Sequence, residues 1–245
     1  MTTLFISDLH LDDRRPETTA LLQQFLTDEA VNADALYILG DLFEFWLGDD
    51  VPSKCSTEVA ISLSRLADKG VPCYFIHGNR DFLLQENYAK LAGMTLLPEE
   101  HVADLYGEPV LLMHGDSLCT DDIPYQQFRT LVRNPLWQQD FLSKSPQERL
   151  QVALQARDAS AEHKDNTAMG IMDVNPGQVI AAFERHGVHR MIHGHTHRPA
   201  KHDLEVSGQT VQRIVLGDWY TQKSVLRVNP GSYELSRTTH SSSRA

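Results

Sequence analysis

Seven residues of this 245-residue chain carry oxygen or nitrogen donors just after a short apolar run stops: Asp8, His10, Asp41, Asn79, His114, His195 and His197. Two pairs, Asp8-x-His10 and His195-x-His197, have the i, i+2 spacing that lets an extended segment point both side chains one way. Seven donors exceed what one ion needs and suit two ions about 3.5–4 Å apart, bridged by a carboxylate. Asp41 is the natural bridge, because it ends a central run and follows a glycine that leaves room. No thiol belongs to the set, which argues against a structural zinc cage and for Mn²⁺, Fe²⁺, Co²⁺ or Zn²⁺ in a catalytic site.

The elements that must position these donors are legible as punctuation. Leu4-Phe5-Ile6, Ala35 to Leu39, Cys73 to Ile76, Val110 to Met113, Met191-Ile192 and Arg213 to Leu216 are apolar runs that suit strands buried on both faces. Helical spacing appears from Thr18 to Ala30 and from Thr57 to Lys69, with Gly70 as a C′ residue. Asn175-Pro176 opens a further helix that Gly187 closes. Strands alternating with helices predict a layered α/β domain with its chemistry at strand ends. Asp8 to Asp41, Asp41 to Asn79 and Asn79 to His114 span 33, 38 and 35 residues, one crossover each, whereas His114 to His195 spans 81. The excess predicts an inserted helical cap over residues 121–171, between core segments 1–120 and 172–235. Ser145-Pro146-Gln147-Glu148 reads as a capping box opening one cap helix, on which Arg157, Ser160, Lys164 and Thr167 share a face. Residues 236–245 are polar and read as a frayed tail.

Composition bounds the partners. Twenty-two basic residues against 33 acidic ones give a net charge of −11, the wrong sign for gripping nucleic acid, so no nucleic-acid partner is expected. Bound cations would supply the positive charge needed to handle a phosphate. Three cysteines without framework spacing suit reduced thiols and a cytoplasmic setting. The first residues show no secretory pattern, and no apolar run approaches the roughly 18 residues of a spanning helix.

The ordered motifs resemble the calcineurin-like metallophosphoesterases. They are Asp8-Leu9-His10, Gly40-Asp41-Leu42-Phe43-Glu44, Gly78-Asn79-Arg80-Asp81, His114-Gly115-Asp116 and Gly194-His195-Thr196-His197, spread over residues 1 to about 220. The resemblance implies a two-sheet α/β/β/α sandwich with an inserted helical cap. It places one ion on Asp8, His10, Asp41 and His197 and the other on Asp41, Asn79, His114 and His195, with Mn²⁺ as the expected pair. The functional core would then be Asp41, Asn79, Arg80, His114 and His195.

Two departures narrow the activity. Glu44 stands where the family carries a second aspartate, and Arg80 stands where it carries a histidine that protonates the leaving alkoxide. Arginine delivers no proton near neutral pH. A phosphate monoester leaving group, with its second pKa about 6, needs little protonation. Arg80 therefore points to cleavage of a diphosphate bond, with the guanidinium stabilising phosphoryl charge. The longer segments around these motifs resemble the branch of the family that hydrolyses UDP-2,3-diacylglucosamine to UMP and 2,3-diacylglucosamine 1-phosphate in lipid A biosynthesis. That branch implies metal-activated water attacking the uridine-side phosphorus. It also implies substrate contacts on Asn79, Arg80, Asp122, Ser160, Lys164, Thr167 and His195, to which Tyr125 and Arg157 are added. Thr167 stands where relatives often carry lysine.

A UDP-diacylglucosamine substrate gives the cap a role. Leu136, Trp137, Phe141, Leu142, Leu150, Val152 and Leu154 are candidates to line an acyl slot, and Arg129, Arg133, Lys144, Arg149 and Arg157 to meet anionic headgroups. A monomer bound peripherally to the cytoplasmic face of the inner membrane is expected. The competing readings are another phosphoesterase of the same fold, such as a phosphodiesterase or nucleotide phosphatase, and a non-catalytic scaffold that has lost its metals.

Overall fold

β1 (Thr3–Ile6) is buried at all four positions, and its two faces go to different partners. Leu4 and Ile6 pack among helical side chains, whereas Phe5 packs against a second sheet. That division explains the unbroken apolar runs: a strand with both faces covered has no polar side to alternate with. The structure, a computed structural model, describes residues 1–166, 173–220 and 222–239, with side chains omitted for 157–166, 222 and 239.

In chain order, α1 (Pro16–Asp28), β2 (Ala35–Leu39), α2 (Lys54–Asp68), β3 (Cys73–Ile76), α3 (Glu86–Ala92) and β4 (Met94–Leu96) follow β1. Next come β5 (Glu100–Leu105), β6 (Glu108–Met113), α4 (Ile123–Val132), α5 (Pro135–Ser143) and α6 (Pro146–Asn166). The chain continues through α7 (Pro176–His186), β7 (Arg190–His193), β8 (Ala200–Val206), β9 (Gln209–Val215), β10 (Gln222–Asn229) and β11 (Ser232–Thr239). One sheet has the order β11-β10-β1-β2-β3-β4 and the other β5-β6-β7-β9-β8. β1 to β4 run parallel, as do β6, β7 and β9, while β5, β8, β10 and β11 pair antiparallel.

Three apolar layers hold this together. Leu22, Phe25, Val59 and Leu63 of α1 and α2 cover Leu36, Ile38 and Phe75. Phe5, Leu39, Ile76, Leu112, Ile192 and Ile214 fill the space between the sheets. Val179, Ala182 and Phe183 of α7 cover Leu111, Met113 and Met191. The result is the expected α/β/β/α sandwich.

Helix boundaries follow their caps. Ser53 caps α2 through a reciprocal bond with Ser56, and Gly70 beyond it has φ +88°. Asn175 accepts from Gly177 and Gln178 to open α7, and Gly187 closes it at φ +61°. In the insertion, Ser145 and Glu148 form the expected capping box at the start of α6: the Ser145 amide donates to Glu148 Oε2 at 2.9 Å. Among the described residues, three α-helices, α4 to α6, lie between β6 and α7. Ser236–Thr239, expected to begin a frayed tail, instead pair antiparallel with β10 as part of β11, and residues 240–245 lie outside the described residues.

Candidate dinuclear metal site

Five parallel strands end at one edge of the sandwich, and every donor follows one of them. Asp8 and His10 follow β1, Asp41 follows β2, Asn79 follows β3, His114 follows β6, and His195 and His197 follow β7. Backbone bonds stitch these loops together: Asp8 N donates to Gly40 O, His10 N to Asp41 O and Gly194 N to His114 O. Gly40 and Gly78 permit the close approach. A Cβ on Gly40 would lie 2.6 Å from both Gly78 Cα and His114 Nδ1, and one on Gly78 would strike Asp41 Oδ1.

The seven donors converge. His10 Nε2 lies 3.3 Å from His197 Nε2 and 3.6 Å from Asp41 Oδ2. The same Asp41 oxygen lies 3.7 Å from His114 Nε2, so it faces one imidazole of each expected ion set. His197 Nε2 is 3.3 Å from Asp8 Oδ1. Asn79 Oδ1 sits 3.0 Å from His114 Nε2 and 2.9 Å from His195 Nδ1. His114 Nδ1 is spent on Leu39 O at 2.8 Å, which leaves its Nε2 lone pair for the centre. Asp8, His10 and His197, and Asp8, Asp41 and His114, each gather ligand atoms within 4.8 Å. This donor set of carboxylate, carbonyl and imidazole groups fits two divalent cations.

Backbone strain marks the same residues. Asp8, His10, Asp41, His195 and His197 have φ between 50° and 70°, a region non-glycine residues rarely enter. Nothing in the local sequence signals this.

A second ring of groups holds the ligands. Asp8 Oδ2 accepts from Ser7 Oγ at 2.5 Å and from His195 N at 3.0 Å. Burial alone would raise the Asp8 pKa, but the hydrogen bond and charge of His197, with His114 and His10, hold it well below the usual range. Burial and the charge on His114 push His195 down to about 4. Asp81 takes four backbone amides, from Gly78, Asp41, Leu42 and Phe43, at 2.7–3.3 Å. Burial and the Asp41 carboxylate raise its pKa to about 6. Buried Asp116 accepts from Tyr125 Oη at 2.7 Å and Arg129 Nε at 2.8 Å. Arg129 and Arg133 both reach Glu99, and Arg133 donates to Gly78 O at 2.9 Å. Burial opposes ionisation of Glu44, but His10, Arg80 and Tyr220 outweigh it and bring it to about 2. The sequence reading assigned no such role to Ser7, Asp81, Asp116, Arg129, Arg133 or Tyr220.

Next to the donors is a cavity of about 370 Å³ between the strand-end loops and α4 to α6. Asn79, Arg80, Glu44 and Tyr125 stand among its lining residues; Phe82, Phe128, Trp137, Phe141, Leu150, Val152 and Leu154 make most of the wall apolar. Arg80 is half-buried there, and among the described residues its guanidinium has no hydrogen-bond partner. Of the expected slot residues, Leu136 and Leu142 are not part of the lining; Leu136 is 75% exposed. Tyr125 faces the site with its ring, 6.1 Å from the His195 ring, while its hydroxyl is committed to Asp116. Asp122 is buried and caps α4 by accepting from Tyr125 N. The backbone of Arg157, Ser160 and Lys164 belongs to α6, their side chains lie outside the described residues, and so does Thr167 entirely.

The expected basic headgroup patch is largely internal wiring. Arg149 is only 4% exposed and donates to Leu47 O, Leu142 O, Lys144 O and the Asp50 carboxylate. Arg129 and Arg133 are committed as above, and Lys144 pairs with Asp140.

Residues 1–199 match the family described as calcineurin-like phosphoesterase. A UDP-2,3-diacylglucosamine hydrolase of Stenotrophomonas maltophilia is 57% identical over 96% of this chain and 98% of its own length. Proteins of the same name from Serratia proteamaculans and Salmonella typhi are 52% and 51% identical, each over 96% of this chain and 98% of their own. Agreement of this extent, in a chain whose fold brings seven metal-ligand donors to one edge, places it in the calcineurin-like phosphoesterase family of metal-dependent hydrolases.

Proposed function

We propose that this chain hydrolyses the diphosphate bond of UDP-2,3-diacylglucosamine, releasing UMP and 2,3-diacylglucosamine 1-phosphate. The observation that carries the reading is the apolar cavity that meets the donor set at Asn79, with Arg80 beside it. A substrate with two acyl chains beside a diphosphate needs that adjacency, and the relatives named for this substrate match 96% of the chain.

One ion would rest on Asp8, His10, Asp41 and His197, and the other on Asp41, Asn79, His114 and His195. Two divalent cations, when bound, supply Lewis acidity toward the phosphoryl oxygens and activate water for attack. We favour Mn²⁺, because the donors are carboxylate, amide and imidazole with no thiolate. Asp41 holds the two sets in register through one shared oxygen. Asn79, which lines the cavity, lies 2.9 Å from His195 Nδ1, and the two orient the diphosphate. Arg80, half-buried at the same edge, offers a bidentate fork to charge that builds on the phosphoryl oxygens. The departing sugar phosphate is a good leaving group without an acid, which fits arginine here. Tyr125 and Asp122 shape the α4 end of the site, and Arg157, Ser160, Lys164 and Thr167 are proposed for the sugar-phosphate side.

Among the described residues no helix is long and apolar enough to cross a membrane. Ile123 and Leu131 on α4 and Leu136 on α5 are 62%, 54% and 75% exposed, which supports peripheral contact of this face with the membrane that holds the substrate.

Turnover of UDP-2,3-diacylglucosamine with Mn²⁺ in ¹⁸O water, with both products read by mass spectrometry, tests the reading. Label in UMP is the expected result and places attack on the uridine-side phosphorus. Label in the lipid phosphate reverses that polarity. Absence of turnover in protein holding two ions rejects the substrate.

A further inference from the structure

Glu44 is outside the ligand set, yet its Oε2 lies 3.1 Å from Nδ1 of His10. That nitrogen is buried and has no aligned hydrogen-bond partner, so the Glu44 carboxylate is its polar neighbour. Glu44 is held in turn. Tyr220 Oη donates to Glu44 Oε2 at 2.9 Å, and Arg15 Nη2 stands 3.9 Å from the same oxygen. Tyr220 also stacks on the His10 ring at 4.8 Å and 21°. The Arg15 guanidinium covers the Tyr220 ring at 4.1 Å and donates to His10 O at 2.6 Å. His10 is thus fixed by its ring face, its backbone carbonyl and its outer nitrogen.

A carboxylate 3.1 Å from Nδ1 favours the tautomer that carries its proton there and so presents the lone pair on Nε2. Nε2 of His10 is the nitrogen that faces His197 and Asp41. Tyr220 lies beyond residues 1–199, the stretch that matches the family model.

We propose that Glu44, held by Tyr220 and Arg15, is a positioning residue that fixes the His10 tautomer and aims its Nε2 at one cation of the pair. The proposal rests on the two-ion reading above. It assigns this chain's glutamate to a metal ligand rather than to the substrate, although Glu44 also borders the cavity.

The test is a Mn²⁺ titration of chelator-stripped full-length protein, with free Mn²⁺ counted by electron paramagnetic resonance. Wild type, Glu44→Gln and Tyr220→Phe are compared, with circular dichroism melting of each metal-free protein alongside. The expected result is uptake of two ions by wild type. Glu44→Gln should weaken one of them by about 10–100-fold and spare the other. Tyr220→Phe, which removes one hydroxyl, should weaken the same ion by a smaller factor, and it carries the test if Glu44→Gln fails to fold. Isotherms for both variants that superimpose on wild type overturn the proposal. Equal weakening of both ions with lower metal-free melting temperatures makes Glu44 a structural residue and also overturns it. A single ion in wild type sinks the two-ion reading instead, and the proposal then stands only if Glu44→Gln weakens that ion.

Discussion

The backbone amide of Arg80 donates to Asp41 Oδ1 at 2.8 Å. Asp41 Oδ2 meanwhile faces His10 and His114. One carboxylate therefore joins the two imidazole sets and also sets the position of the arginine at the cavity edge. Removing the Arg80 side chain leaves the amide in place. Arg80→Ala is expected to keep two bound ions and lose about 10²–10³ in kcat, the scale of one transition-state donor. A change confined to KM would make Arg80 a uniform binder. Asp41→Ala is expected to abolish turnover, and retention of a tenth of wild-type kcat would contradict the shared-ligand arrangement.

Five ligand residues occupy left-handed backbone, and carboxylates and imidazoles crowd the same few ångströms. Such strain costs about 1–3 kcal/mol per residue and persists where something offsets it. Chelation should therefore lower the melting temperature, and Mn²⁺ should restore it. At 100 times Kd each ion contributes about 2.7 kcal/mol, a rise of about 5–11 °C in a domain of this size. A melting temperature that ignores both chelator and Mn²⁺ would rule out ion binding at the strained loops.

Gly78→Ala tests the close packing of the loops. The added methyl would collide with Asp41 Oδ1, the atom that takes the Arg80 amide. Overpacking of this kind costs about 1–3 kcal/mol. The variant should lose denaturant stability on that scale and lose Mn²⁺ affinity with it. A variant that binds both ions normally would show the loops to be looser than their spacing indicates.

Arg149 fastens α6 to the loop that contains Leu47 and Asp50. Arg149→Met keeps apolar bulk but leaves several backbone carbonyls without their donor, at about 1–3 kcal/mol for each buried acceptor. Faster amide exchange in α5 and α6 with the β-sheets unaffected is the expected signature. KM for the acylated substrate should rise. Uniform protection across the chain would mean that α6 is held by apolar packing alone.

Val152 lines the cavity. Val152→Trp should fill it, raise KM for the long-chain substrate and spare an analogue with short acyl chains. Equal effects on both substrates would assign the acyl groups to another surface.

Much of the site was legible in the chain. A strand covered on both faces reads as an apolar run, so the polar residues that stop each run stand out, and Asp8, Asp41, Asn79, His114 and His195 were marked that way. Two helices announced themselves through Asn175 and Ser145, and α2 through Gly70 after its end, because capping is a local interaction; the Ser53 cap starts α2 at Lys54, one turn before the expected Thr57. The edge strands β5, β8 and β11 gave weaker signals, since their residues are largely half-exposed or exposed and mix polar with apolar.

What the sequence alone determined is the set of donors, their order and the α/β layering, since each depends on residue type and short-range spacing. Tertiary structure decided the rest. Glu44 meets Tyr220 across 176 positions, and Asp116 meets Arg129 and Tyr125 in a buried network that ties the inserted helices to the ligand loops. The left-handed backbone of the ligands, the commitment of Arg149 to the interior and the cavity under α4 to α6 belong to the same class. Each arises only when sheet order brings distant groups into one water-poor space, where a buried charge must find its partner or remain unpaired.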